Sequence, residues 1–144
     1  MIVPDVNLLL YAYDDQSRYH AAASAWWQAT LTGGRHVGLT WHTMLGFVRM
    51  TTNPRIYDAP MTPVNAIRHV RLWLDQPGAE ILSPGERHAD IVFGLIEDAG
   101  VAGNLTPDAH LAAIAIEYQA ELASNDRDFG RFRGLRWFNP LASH

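Results

Sequence analysis

The chain begins with two polar side chains, Asp5 and Asn7, placed just beyond a short strand that the β-branched residues Ile2 and Val3 predict. An acid at the carboxyl end of a first strand is where open α/β sheets bind their ligands. Asn7 precedes an apolar run and is predicted to be the N-cap of a first helix. The alternative is that Asp5 only fixes a turn, and the pair alone does not decide between the two.

Two further aspartates, Asp126 and Asp108, are candidates for the same site. Asp126 directly follows a predicted strand at residues 121–124, so a parallel sheet would bring it to the same edge as Asp5. Asp108 lies in the first turn of a nearly uncharged helix, where the helix dipole favours a carboxylate by ~0.3–1 kcal/mol. That helix leads into the strand at 121–124, and we expect this crossover to leave Asp108 near the opposite edge. The residues alone therefore unite Asp5 with Asp126 but not with Asp108.

The elements that must position these side chains alternate along the chain. Strands are predicted at residues 2–3, 36–39, 79–82, 121–124 and 135–138, and helices at 8–13, 19–31, 41–50, 63–74, 83–99 and 106–118. This alternation predicts a parallel sheet with helices on both faces. No repeat or linker divides the sequence, so residues 1–144 are expected to form one domain.

Composition narrows the class of protein. There are no cysteines, which excludes disulfides and thiolate metal sites. No signal peptide and no apolar run of about 20 residues is present, so a cytoplasmic protein without membrane contact is expected. The net charge of −4 argues against broad electrostatic binding to nucleic acid.

Arginine is distributed unevenly. All eleven basic residues are arginines, and four of them fall within ten residues, namely Arg127, Arg131, Arg133 and Arg136. Guanidinium groups bind phosphate through two parallel hydrogen bonds and stack on bases. The alternative is a solvated face with no ligand.

The chain resembles the PIN-domain ribonucleases, and more narrowly the VapC-type toxins of bacterial toxin–antitoxin operons. The resemblance rests on Pro4-Asp5-Val6-Asn7, on residues 104–113 and on residues 124–129, and the segment 134–141 resembles one VapC subgroup. It implies a PIN-like three-layer α/β/α domain with a short, mainly parallel central sheet. It also implies that Asp5, Asp108 and Asp126 meet in one pocket and bind Mg²⁺ or Mn²⁺.

The same resemblance implies a role for each candidate residue and a set of partners. The three aspartates would be catalytic metal ligands in the hydrolysis of phosphodiester bonds in structured RNA, such as a tRNA or a ribosomal RNA loop. Asn7 and Asp128 would not bind the metal themselves but would hold these ligands in the right orientation. Arg127, Arg131 and Arg133 would hold the RNA backbone. A VapB-like antitoxin and a second copy of the chain are the implied protein partners.

One position departs from the family pattern. Gly46 stands three residues before Arg49, where the family usually has a glutamate. His42, one turn earlier on the same helical face, either substitutes for it in part or has no metal role. The glycine motivates an alternative function, a catalytically weak module that acts through its antitoxin and operator DNA. A phosphatase of the haloacid dehalogenase type is excluded, because it needs a second aspartate in place of Asn7 and a lysine.

Overall fold

The computed structural model describes residues 1–100 and 102–142. Five strands form one sheet in the order β3-β2-β1-β4-β5, and every neighbouring pair is parallel. The strands are β1 (Ile2–Pro4), β2 (Val37–Thr40), β3 (Ala79–Leu82), β4 (Glu121–Ala123) and β5 (Arg136–Phe138). The predicted parallel sheet is therefore confirmed.

Six helices connect these strands. They are α1 (Val6–Tyr13), α2 (His20–Thr32), α3 (Trp41–Thr51), α4 (Pro63–Leu74), α5 (His88–Ala99) and α6 (Thr106–Glu117), with 3-10 turns at Gly103–Leu105 and Arg127–Arg131. In residues 1–100 and 102–142 none of the helices combines the length and the apolar character needed to cross a bilayer.

Helices cover both faces of the sheet, which confirms the three-layer α/β/α architecture. Residues of α5 and α6 such as Leu95 and Ile114 pack on one face against Leu122 of β4. On the other face, aromatic residues of α2, α3 and α4 form the second core, with the Phe47 and Trp73 ring centroids 4.7 Å apart. Burial of side chains of this size contributes about 1.5–3 kcal/mol each and fixes the helices on the sheet.

The first helix starts earlier than its sequence predicts. Asp5, not Asn7, is the N-cap of α1, because Oδ1 of Asp5 accepts a hydrogen bond from the Val6 amide at 2.8 Å. The prediction of Asn7 as the cap is therefore wrong. Asn7 is the second residue of the helix, and its side chain reaches Ser124, the residue that follows β4.

The fifth helix starts later than predicted, at His88 and not at the Ser-Pro pair of residues 83–84. The carboxylate of Glu117 accepts hydrogen bonds from the amides of Gly85 at 2.8 Å and Arg87 at 3.0 Å. The amides of Gly85 and Arg87 are thus bonded to a distant side chain and not to a preceding turn of helix. The segment before His88 therefore remains a loop between β3 and α5.

The direction of α6 decides where Asp108 lies. The helix ends at Glu117 and β4 begins at Glu121, so the carboxyl end of the helix meets the start of the strand. A helix that enters a strand in this way runs antiparallel to it, and its first turn lies at the strand's carboxyl end. The expectation that Asp108 lies at the opposite edge from Asp5 is wrong.

Candidate active site

Asp5 is held rigidly at the carboxyl end of β1. Its side chain is only 9% exposed, and its amide donates to the Ala123 carbonyl of the neighbouring strand at 2.8 Å. Oδ1 accepts from the Val6 amide and Oδ2 accepts from the hydroxyl of Ser124 at 2.7 Å. Burial raises the pKa of Asp5, although these two hydrogen bonds oppose the rise.

The hydroxyl of Ser124 joins three predicted site residues. It donates to Asp5, and its oxygen accepts from Nδ2 of Asn7 at 3.2 Å and from the amide of Asp126 at 3.0 Å. Ser124 is completely buried. No role was predicted for Ser124 from the sequence, but the register of the two strands indicates one. Pro4 pairs with Ala123, so the residues that follow them, Asp5 and Ser124, lie side by side where the strands end.

Asn7 and Asp128 both contact the segment around Asp126. Oδ1 of Asn7 accepts from the Asn125 amide at 3.4 Å. The amide of Asp128 donates to Oδ1 of Asp126 at 2.9 Å, so Asp126 caps the 3-10 turn that follows it. Asp126 is half-buried and Asp128 is exposed. The backbone and Asn7 thus fix Asp126 beside Asp5.

Asp108 completes the group of acids. Its pKa is raised to about 6, first by burial and then by the negative charges of Asp5, Asp126 and Asp128. Asp108 therefore lies within electrostatic reach of the other three carboxylates. The ion pair found in residues 1–100 and 102–142 joins Arg35 to Glu121, so none of these four carboxylates forms an ion pair with an arginine there.

The donor set has the chemistry of a site for a hard divalent cation. It consists of carboxylate oxygens, which Mg²⁺ and Mn²⁺ prefer, and in the described residues no ion pair with an arginine offsets their negative charge. Among the described residues, no three histidine, aspartate or glutamate side chains lie close enough together to hold a metal ion in the conformation seen here. The oxygens of Asp5 and Asp126 that accept hydrogen bonds each keep a second lone pair for a ligand.

Helix α3 lies beside this group and carries Gly46. The hydroxyl of Thr43 donates to the Pro4 carbonyl at 3.4 Å, which packs the first turn of α3 against the end of β1. A Cβ added at Gly46 would meet only Cγ2 of Val6, at an ordinary 3.6 Å. The helix therefore has room for a side chain at position 46, where the family pattern has a glutamate.

Histidines occupy the space between α3 and α6. His42 is exposed, and its positive charge acts to lower the pKa of Asp5. Its ring lies 6.0 Å from that of His110, whose Nδ1 is 3.0 Å from Nε2 of His88. His110 therefore contacts α5 through the histidine pair and not through a carboxylate, in agreement with a structural role.

The predicted arginines follow β4 along the chain. Arg127 and Arg131 belong to the 3-10 turn that Asp126 caps, and Arg133 follows in the next loop; all three are exposed. Arg136 differs because it donates to the carbonyl of Gln119. Three exposed guanidinium groups thus lie on the segment that leads away from the acids.

Comparison with known proteins identifies relatives over nearly the whole chain. The family model of the PIN domain matches residues 2–135. Ribonuclease VapC33 of Mycobacterium tuberculosis is 48% identical over 141 residues, which cover 98% of this chain and 99% of that protein. Ribonuclease VapC37 of the same species is 41% identical over 142 residues, or 99% of each chain.

Solved structures share the fold at low sequence identity. VapBC2 from Rickettsia felis, bound to a DNA fragment from its promoter, superposes with a TM-score of 0.70 at 17% identity over 96% of this chain and 98% of that one. VapC20 of Mycobacterium tuberculosis, described as a toxin that cleaves the sarcin-ricin loop, gives a TM-score of 0.68 at 14% identity over 94% and 99% of the two chains.

Proposed function

The chain belongs to the PIN domain family and, within it, to the VapC ribonucleases, and from this premise we propose that it is a metal-dependent endoribonuclease that hydrolyses phosphodiester bonds of structured RNA. The observation that carries the proposal is the group of acids itself: Asp5 and Asp126 are joined through Ser124 at the ends of β1 and β4, and Asp108 lies close enough for their charges to act on it. Acids gathered in this way are the arrangement that a divalent cation stabilises.

Asp5, Asp108 and Asp126 are proposed as the catalytic residues that hold Mg²⁺ or Mn²⁺. When bound, the cation supplies an activated water and stabilises negative charge on the phosphate in the transition state. Asp5 contributes a carboxylate whose direction is fixed by Ser124 and Val6. Asn7 and Asp128 orient Asp126 through the contacts around residues 124–126.

Arg127, Arg131 and Arg133 are proposed to bind the RNA backbone. They are exposed and lie on the segment that begins at Asp126, so a phosphate held by them would lie next to the acids. Positive side chains are needed at this point because the acids themselves repel RNA. A planar guanidinium pairs with two phosphate oxygens at once, which orients the backbone as well as attracting it.

The relatives guide the choice of substrate and partners. VapC20 is described as cleaving the sarcin-ricin loop, which favours a ribosomal RNA loop as the substrate here, with a tRNA loop as the alternative. The solved VapBC assemblies support a VapB-like antitoxin as the partner, which makes the chain the toxin of a type II toxin–antitoxin system. We propose that the protein acts in the cytoplasm as a homodimer.

The test is cleavage of total RNA by the purified protein with MgCl₂ or MnCl₂, compared with Asp5→Asn and with the wild type in EDTA. We expect cleavage at discrete sites by the wild type and a loss of at least about 100-fold in both controls. Asp5→Asn keeps an oxygen to accept from Val6, so circular dichroism should show the fold retained. Full activity in EDTA, or in Asp5→Asn, would contradict the proposal.

Gly46 is the reason for a second candidate function, that of a PIN module that binds its antitoxin and operator DNA without cutting RNA. The acidic group has no side chain from this position, although the helix has room for one. Calorimetric titration with MnCl₂ separates the two functions. Binding at or below about millimolar concentration that Asp5→Asn abolishes supports the nuclease, whereas no binding favours the module.

A further inference from the structure

A cavity of about 540 Å³ lies at the far end of α1 from the acids. Asp5 caps the start of this helix and Asp14 caps its end, so the eight residues between them separate the two places by about 12 Å. The cavity lies between the end of α1, the loop after it and the connection from α3 to α4. Its volume is that of a small-ligand pocket.

The floor of the cavity is apolar and preformed. Leu10, Tyr13 and Met61 line it. The hydroxyl of Tyr13 accepts from Nε1 of Trp73 at 2.8 Å, and its ring packs edge-on against Phe47 with centroids 5.5 Å apart. The amide of Met61 donates to the Thr51 carbonyl at 2.8 Å, which fixes the other wall. A ligand would therefore meet a surface that needs little reorganisation.

The rim of the cavity is negatively charged. Asp14, Asp15 and Asp58 line it together with the hydroxyl of Tyr57, and no arginine or histidine is among the lining residues. The pKa of Tyr57 is raised by burial and by the charge of Asp14. Gln16 donates to both Asp14 and Asp15, but none of the three acids has an ion-pair partner in the described residues.

We propose that this cavity binds an arginine or lysine side chain of the antitoxin, flanked there by apolar residues. The aliphatic stem of such a side chain would cover Leu10 and Met61 while its charged end reaches the three carboxylates. The cavity is large enough for the flanking apolar side chains as well. The identity of the partner rests on the proposed function, whereas the chemistry of the ligand rests on the cavity alone.

The test uses two synthetic peptides, Ac-Leu-Arg-Leu-NH₂ and its neutral citrulline counterpart, titrated into the ¹⁵N-labelled full chain with saturating MgCl₂. We expect the arginine peptide to shift the amides of residues 13–16 and 56–61 and to bind about fivefold more tightly than the citrulline peptide. In the double variant Asp15→Asn/Asp58→Asn this preference should disappear. The matched control is Asp90→Asn/Asp98→Asn, which removes two exposed acids of α5 and should keep it.

Three results would overturn the inference: equal affinity for the two peptides, shifts centred on Asp5 and Asp126, or an unchanged preference in Asp15→Asn/Asp58→Asn. RNA cleavage by the same samples keeps this outcome separate from the proposed function. Wild-type cleavage without arginine preference refutes the inference alone. Arginine preference without cleavage refutes the nuclease alone.

Discussion

The hydroxyl of Ser124 donates a 2.7 Å hydrogen bond to Oδ2 of Asp5, and it joins residues that are 119 positions apart in sequence. The bond crosses the carboxyl ends of β1 and β4, where the two strands stop pairing. Since the same oxygen accepts from Asn7 and from the amide of Asp126, one buried hydroxyl sets the positions of three site residues.

Ser124→Ala should weaken both the fold and the metal site. The substitution removes a donor from Asp5 and an acceptor from Asn7 and Asp126, all at least half-buried, so we expect a loss of about 1–3 kcal/mol in the free energy of unfolding. Urea unfolding measures this loss, and calorimetry should show weaker Mn²⁺ binding. Ser83→Ala removes an exposed hydroxyl and is the control. Unchanged Mn²⁺ affinity in Ser124→Ala would contradict the positioning role.

Asp108 should make the stability of the metal-free protein depend on pH. Its pKa is raised from the ordinary value of 3.8 to about 6, so between these values the folded state holds the proton more tightly than the unfolded chain. The contribution of Asp108 to stability is therefore complete below about pH 4 and lost as the pH rises to about 6. Thermal unfolding in EDTA from pH 4 to pH 8 measures it.

The matched variant for this pH dependence is Asp108→Asn, which cannot ionise. At pH 7.5 in EDTA we expect its Tm to exceed that of the wild type by about 2–4 °C, and the difference should vanish near pH 4. Adding MgCl₂ at pH 7.5 should raise the Tm of the wild type more than that of the variant. A difference that is the same at pH 4 and pH 7.5 would show that charge on Asp108 is not its cause.

Much of the fold can be predicted from residues that are close in sequence, and each wrongly predicted helix boundary has a physical cause. The β-branched strand at Ile2 and the cap-and-proline start of α4 were predicted correctly, because both are decided by residues close in sequence. The start of α5 was wrong, since Glu117, about thirty residues away, binds the amides of that segment. Long-range bonds of this kind leave no local signal.

In the site, too, part of the arrangement was predicted from the sequence and part was missed. That Asp5 and Asp126 share an edge follows from parallel strands. The position of Asp108 was predicted wrongly although α6 leads directly into β4, because the first turn of such a helix lies at the carboxyl end of the strand and not at its start. Asn7 has the residue type of an N-cap, but Asp5 is closer to the first free amide and takes that role. Ser124 was missed because a serine at the end of a strand is common, and its three bonds become visible only when β1 and β4 pair.

The exposed arginines should control RNA affinity. In Arg127→Gln/Arg131→Gln/Arg133→Gln we expect weaker RNA binding, and the slope of log Kd against log salt should fall by about 2, since each phosphate contact contributes about 0.7. Filter binding in EDTA at several salt concentrations measures the slope. The control Arg55→Gln/Arg68→Gln/Arg71→Gln removes the same charge from exposed positions outside the site. Equal loss in both triple variants would indicate only a general charge effect.

Gly46→Glu should strengthen the metal site. The added Cβ meets only Val6 at 3.6 Å, so the side chain fits on α3 next to the end of β1 and can add a carboxylate to the three proposed metal ligands. Both Gly46→Glu and Gly46→Gln should gain about 0.5–1 kcal/mol of stability, because glycine disfavours a helix interior. Only the glutamate should also bind Mn²⁺ more tightly than the wild type, as measured by calorimetry at pH 7.5. In EDTA the glutamate variant should be less stable than the glutamine variant, since its charge adds to that of the existing acids. If glutamine tightened Mn²⁺ binding as much as glutamate, the effect would come from the helix and not from a new ligand.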